Sequence, residues 1–424
     1  MRMLIVGGGG FIGRRIVGRL LAAGHEVTIA ARSPRRIERI FPGVPTMACD
    51  LAIDTKVEIW CGRLTGFDAV VNAAGVLQDR AAAAIHAAGP RALFEACRIC
   101  GVRRVVHISA VSADEGAGTD YAATKLAGEH ALMATGLDWV ILRPSLVYGE
   151  GSYGGTSLLR GLAGFPYFAV LPGDGDQQFQ PIHVDDLARA VEKGLLDGSL
   201  AGRRLSPAGP DILTLKDVVV RWRAWLGFAP ARVISVPIGL VRIAGRIGDR
   251  LELAPINSTA IAQLTYGNTT DAGLFEREIG FRPRSFDAAL LARPANVQDR
   301  WHARLYWLRL GLRFGLALFW LASGAIGFAA GPSIVASLAP GLGASLASVL
   351  AFLACLIDIA IAVGLTINLA PQRVAAVQLI LIAGYPLLLT ILRPSLWLDP
   401  FGSIIKNLPL LLAVLCHAAL IDDR

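Results

Sequence analysis

The stretch Met3-Leu-Ile-Val-Gly-Gly-Gly-Gly-Phe-Ile-Gly13 decides the fold. Met3 to Val6 is an apolar run without polar alternation, the pattern of a strand buried on both faces of a parallel sheet. Glycines follow at Gly7, Gly10 and Gly13 with G-x-x-G-x-x-G spacing, and Arg14 to Ala23 then reads as a helix. Such glycines let the backbone turn sharply and approach a pyrophosphate, which rests on the N–H groups at the start of a helix. The motif is informative because it follows a strand and opens a helix, the context it requires. Gly7, Gly10, Phe11, Ile12 and Gly13 are therefore expected to form a dinucleotide site in an α/β Rossmann fold with a doubly wound parallel sheet.

The second strand is His25-Glu-Val-Thr-Ile-Ala-Ala31. An acidic residue near its end would accept from a ribose 2′-hydroxyl, whereas an arginine suits a 2′-phosphate. The chain has Arg32, then Arg35 and Arg36, and no acid until Glu38, which predicts NADP(H) in preference to NAD(H). Met47-Ala-Cys-Asp-Leu51 ends a third strand and brings Asp50 and Leu51 toward the adenine. Asp68-Ala-Val-Val-Asn-Ala-Ala-Gly75 is a fourth, closing on Ala73, Ala74 and Gly75, small enough for a cofactor to lie against the backbone. A helix from Ala81 to Cys100 leads to a fifth strand, Arg104 to Ser109. Tyr121-Ala-Ala-Thr-Lys125 opens the next helix and places Tyr121 and Lys125 on one face.

With Ile141-Leu-Arg-Pro-Ser-Leu-Val-Tyr-Gly149, Gln180-Pro-Ile-His-Val-Asp-Asp186 and Ile279-Gly-Phe-Arg-Pro283, these motifs resemble the extended short-chain dehydrogenase/reductases, including the NAD-dependent epimerase/dehydratase group. The resemblance covers about residues 1–295, with a substrate lobe from 152–179 and 205–275. It is nearest to atypical members similar to the nucleotide-binding accessory subunit of respiratory complex I. It implies that Tyr121 exchanges a proton with a substrate oxygen, that Lys125 supports the phenolate and holds the nicotinamide ribose, and that Pro144 lines the cofactor. The family's serine position falls on Ala110, flanked by Ser109 and Ser112. Both serines are candidates, Ser112 the stronger.

At 424 residues there is room for two or three domains. A hydrophobic fraction of 54%, a charged fraction of 17% and a mean hydropathy of +0.52 are too apolar for a wholly soluble chain. The excess lies beyond Leu305. Leu308 to Ala330, Leu346 to Leu369, Val374 to Leu392 and Ile404 to Ile421 each approach the roughly 20 residues that span a bilayer. Residues 296–424 are thus expected to form an all-α transmembrane four-helix domain, which resembles DoxX-like membrane domains. Arg300, Arg304, Arg309 and Arg313 crowd the first span, Arg373 follows the second, and the first outer connection is uncharged. The positive-inside rule then predicts a multi-pass inner-membrane protein with residues 1–295 and the terminal Asp422-Asp423-Arg424 cytoplasmic. No secretory leader is expected, since the first strand begins at once.

The net charge of +8 lacks the aromatic-interleaved basic patch of a nucleic-acid binder; a lipid bilayer is the expected partner. Arg242, Arg246 and Arg250 share a helix face, either a solvated stripe or a rest for anionic lipid. Cys97-Arg-Ile-Cys100 has no second pair to complete a zinc site, so no metal is expected. Asp358 lies mid-span and needs a polar partner, such as Tyr385. The leading reading is a membrane-tethered NAD(P)(H) oxidoreductase for a small apolar substrate: a quinone, isoprenoid or lipid. One alternative is a non-catalytic NADPH-binding sensor or assembly factor with membrane-protein partners. Another is a nucleotide-sugar epimerase or dehydratase, which the displaced serine disfavours.

Overall fold

The computed structural model describes residues 1–77, 80–151, 154–251, 256–338, 341, 343–400 and 402–421. The expected Asp422-Asp423-Arg424 and the start of the substrate lobe at 152–153 lie outside the described residues. The chain divides into two compact units, Met1–Gly248 with Ala254–Ala303, and Asp249–Leu253 with Arg304–Arg424.

The first unit is built on a seven-stranded parallel sheet. Its strands are β1 (Arg2–Val6), β2 (Glu26–Ala31), β3 (Thr46–Ala48), β4 (Ala69–Asn72), β5 (Arg104–Ile108), β6 (Asp138–Leu142) and β11 (Arg203–Leu205), in the order β11-β6-β5-β4-β1-β2-β3. Order reverses between β1 and β4, where Val6 pairs with Asn72. The ends of strands flanking such a reversal leave a crevice at the carboxyl edge of the sheet. The apolar run of β1 serves both faces, because successive side chains point to opposite sides. Met3 and Ile5 pack with Ile16 and Val17 of α1 (Phe11–Ala22) and Val191 of α7 (Val184–Leu196). Leu4 and Val6 pack with Trp60 of α3 (Val57–Leu64) and with Leu93 and Phe94 of α4 (Gly89–Ile99). α2 (Pro34–Ile40) follows β2, and α5 (Asp120–Met133) links β5 to β6.

A smaller lobe gathers the remaining strands as pairs: β7 (Val147–Tyr148) with β10 (Ile182–His183), β8 (Phe168–Pro172) with β13 (Arg232–Val236), and β9 (Gln178–Phe179) with β12 (Leu213–Thr214). Its core sets Leu171, Trp222 and Phe286 from β8, α8 (Leu215–Trp225) and α12 (Phe286–Ala292) beside α6 (Gly154–Ala163). α9 (Ile238–Leu251) and α10 (Ser258–Tyr266) follow, and α11 (Ala272–Ile279) returns to the main sheet, where Phe275 and Ile279 join the core of Met3 and Ile5.

The second unit holds α14 (Ala344–Thr366), α15 (Pro371–Leu392), α16 (Asn407–Ala419) and most of α13 (Val297–Leu338). Among the described residues three helices, α13, α14 and α15, are long and apolar enough to cross a membrane. This corrects the expected four full spans. The run Ile404 to Ile421 divides into a turn and the 13-residue α16. Pro409 is the third residue of α16, in the first turn, where its missing N–H costs no helical bond. At about 1.5 Å per residue α16 reaches about 20 Å, short of a hydrocarbon core of about 30 Å. Inside this unit Trp320 Nε1 donates to Gln378 Oε1 at 2.9 Å, and Arg313 donates to the carbonyls of Leu365 and Thr366 at the end of α14. Asp358 accepts from Ser323 Oγ at 2.7 Å. The polar partner is thus a hydroxyl on α13, Ser323, and not the expected Tyr385 hydroxyl, although Tyr385 lies close enough to sense the carboxylate.

Candidate active site

The glycine turn sits where the strand order reverses. Gly7 has φ +79°, a region that favours glycine, and a Cβ there would stand 2.7 Å from Ala74 N. A Cβ on Gly13 would stand 2.2 Å from Gly7 O, so α1 starts directly against the turn. Gly10 N donates to Gly7 O, and Gly10 O accepts from Arg14 N. Gly10 is the N-cap of α1, which begins at Phe11 and Ile12 with no side-chain cap. The start of α1 thus faces the glycine turn without a side-chain cap, and a helix N-terminus after such a turn is the arrangement that holds a pyrophosphate. Ala73, Ala74 and Gly75 form the opposite wall after β4. Residues 7–13 and 73–75, predicted apart in sequence, are brought together.

Arg32 is exposed just beyond β2. Asp50 lies in the turn after β3, where Oδ1 accepts from Ala52 N at 3.0 Å. Leu51 is 4% exposed and its side chain belongs to the core beside Trp60. Pro144 is buried, and its carbonyl accepts from Val111 N at 3.0 Å, which pins the loop after β5 next to Ser112.

Tyr121 and Lys125 stand one turn apart on α5, whose N-cap Thr119 accepts from Ala122 N. Lys125 Nζ lies beside Gly75 and donates to the carbonyls of Ile108 (3.1 Å) and Ala74 (3.4 Å). Burial pushes this amine down to about 8 despite the nearby Glu129 carboxylate. Burial pushes the Tyr121 phenol up to about 12. The pair is thus assembled at the carboxyl edge of the sheet, beside the glycine turn's facing wall.

Two residues escaped the sequence reading. His86 lies on a π-helical turn, Ala84–Ala88, of the kind that recurs at functional sites. Its Nε2 accepts from Val76 N at 3.0 Å, and its Nδ1 lies 3.0 Å from Thr124 Oγ1. An accepting Nε2 assigns the ring proton to Nδ1. Burial, then the Lys125 charge, push His86 down to about 3, so the ring is neutral. The second is Glu129, fully buried on α5. It accepts two bonds from Arg143, each 2.8 Å, and a short one from Ser109 Oγ. Ser109 is therefore turned away from a substrate and into this cluster, which leaves Ser112, 2% exposed in the loop after β5, as the serine candidate. No motif marks His86 or Glu129, because their partners are distant in sequence.

Residues 3–199 match the NAD dependent epimerase/dehydratase family, and residues 317–415 match the DoxX-like family. The chain is 28% identical over 258 residues to ceramide reductase of Caulobacter vibrioides, covering 58% of this chain and 76% of that protein. It is 26% identical over 342 residues to sterol demethylase protein B of Methylococcus capsulatus, covering 71% of this chain and 99% of that one. The dTDP-glucose 4,6-dehydratase DesIV of Streptomyces venezuelae, solved with NAD bound, superposes with a TM-score of 0.55 at 23% identity, over 72% of this chain and 98% of that one. This last likeness is one of fold.

Proposed function

We propose, from an NAD dependent epimerase/dehydratase-family domain joined in one chain to a DoxX-like membrane domain, that the protein is a membrane-tethered, NADP(H)-preferring oxidoreductase acting on a lipid carbonyl or hydroxyl. The observation that carries this reading is Lys125 beside Gly75, the wall that faces the glycine turn, with Tyr121 one helical turn away against His86. Two relatives bear names that point to lipids, a ceramide reductase and a sterol demethylase protein, and a bilayer anchor suits a substrate that resides there.

The cradle fits a dinucleotide: residues 7–13 would hold its pyrophosphate, Ala73 to Gly75 its nicotinamide half and Arg32 a 2′-phosphate. When bound, the nicotinamide supplies or accepts hydride. Tyr121 gives its phenolic proton to the substrate oxygen in reduction and takes it back in oxidation. Lys125, where charged, stabilises the phenolate that remains. Ser112 orients the oxygen. His86 holds Val76 and Thr124 and thereby the phenol ring. The arginine bias supports a cytoplasmic position for this unit. An impermeant maleimide added to intact cells should label Gly343→Cys and leave Gln372→Cys unlabelled until the membrane is opened, and the reverse pattern would refute the orientation.

The test uses full-length protein in nanodiscs with NADPH and a keto-lipid, a ketoceramide or a sterol ketone. NADPH consumption should appear with the wild type and fall by about a hundredfold in Tyr121→Phe, with folding unchanged. A second reading, a nucleotide-holding protein that does no chemistry, is favoured by the capture of Ser109 by Glu129. It predicts that Tyr121→Phe restores every cellular function while Gly10→Val restores none.

A further inference from the structure

α9 is folded inside out for a helix that lies in water. Its inward face is small: Gly245 and Gly248 are buried, Gly245 against Ile261 and Gly248 against the backbone of Ile256. Its large apolar side chains point outward instead. Leu240, Ile243 and Ile247 recur at helical spacing and are 57%, 51% and 47% exposed. A solvated helix does the reverse and hides its apolar stripe. Arg242 and Arg246, one turn apart, are exposed beside this stripe. Val233 and Ile234 of β13 add further exposed apolar area on the strand that precedes α9.

An apolar stripe flanked by arginines matches the boundary between lipid headgroups and acyl chains, where each kind of side chain finds its own solvent. Among the described residues three apolar helices of membrane length also keep a bilayer within reach. We infer that α9 is an interfacial helix that docks on an anionic lipid surface, with Leu240, Ile243 and Ile247 below the headgroups and Arg242 and Arg246 on lipid phosphates. Arg242 and Arg246 also line a groove with Ala117, Thr265 and Tyr266. Ala117 immediately precedes the turn that opens α5 and Tyr121, so the seated helix brings this groove to the lipid surface.

The test reads docking rather than turnover. Full-length Ile243→Cys is placed in nanodiscs of phosphatidylcholine, with or without phosphatidylglycerol. Labelling by an impermeant maleimide is followed at that peptide by mass spectrometry. Val220→Cys on α8, an exposed site away from α9, serves as the control. Labelling at position 243 should slow by about tenfold when phosphatidylglycerol is present, with the control unchanged. Adding Arg242→Glu and Arg246→Glu should make the rates in the two discs equal. Equal rates with the native arginines overturn the proposal, whether both fast, as for a face left in water, or both slow, as for a face covered by protein.

Discussion

The imidazole of His86 meets the phenol of Tyr121 edge-on, with ring centroids 5.5 Å apart and planes at 87°. The contact ties the proposed proton donor to a side chain that reaches α5 through Thr124 and the loop after β4 through Val76. A neutral imidazole suits this place, since a second positive charge beside Lys125 would oppose the ammonium that a phenolate needs.

His86 should therefore matter to both rate and acid stability. Its pKa is about 3 when folded and about 6.5 when unfolded, so the unfolded chain binds the extra proton between these values. Stability from this group is present above about 6.5 and is lost as pH falls toward 3. His86→Gln should flatten part of that loss, the remainder belonging to other groups, among them His107 and His183, which burial also holds toward the neutral form. At neutral pH the variant should turn over about tenfold more slowly, because the phenol is less well held. Thermal melts from pH 7 to 4 and steady-state rates check this; a melt profile as steep as the wild type's rejects it.

Lys125→Met should separate stability from activity. The lysine's folded pKa of about 8 lies below its unfolded value near 10.5, so burying the charged amine is penalised at pH 7. The penalty is fully present below about 8 and disappears as pH rises to about 10.5. Methionine keeps the length without the charge and should stabilise the protein by on the order of 1–2 kcal/mol at pH 7, the lost bonds to Ile108 and Ala74 offsetting part of the gain. Nucleotide affinity and turnover should both fall. A variant that melts below the wild type at pH 7 as well as pH 10 contradicts the argument.

The two serines should behave differently. Ser109→Ala removes a donor from the buried Glu129 and should cost about 1–3 kcal/mol of stability, with little change in rate per folded molecule. Ser112→Ala should slow turnover while shifting the melting temperature less. A slower rate from Ser109→Ala with unchanged melting would reverse the assignment.

How much of this was legible depends on the range of the interaction. The glycine turn could be read because a close backbone approach admits only glycine, as at Gly13 against Gly7. The Tyr121 and Lys125 pair could be read because helical periodicity alone puts them on one face. His86 could not, since its partners lie 10 and 38 residues away. Ser323 was likewise hidden, 35 residues from Asp358. The end of the membrane region is harder to read for another reason: Ile404 to Ile421 is apolar almost throughout, so hydropathy does not separate the turn from the 13-residue α16.

Cofactor choice gives the last measurement. Arg32 at the end of β2 predicts that NADPH binds several-fold tighter than NADH. Arg32→Asp should reverse that order, because an acid repels a 2′-phosphate and accepts from a 2′-hydroxyl. Calorimetric titration of both nucleotides into both proteins decides it, and equal wild-type affinities would remove the preference.

The depressed basicity of Lys125 also makes it chemically distinctive among the five lysines of the chain. At pH 8 about half of such an amine is unprotonated, against under about 1% for an ordinary lysine. A mild acylating reagent small enough to enter the cleft selects by nucleophilicity, so it should modify Lys125 ahead of Lys56, Lys193, Lys216 and Lys406. A nucleotide seated over Gly75 would shield it. Acylation of this one side chain thus offers a footprint of occupancy in native membranes before any substrate is known.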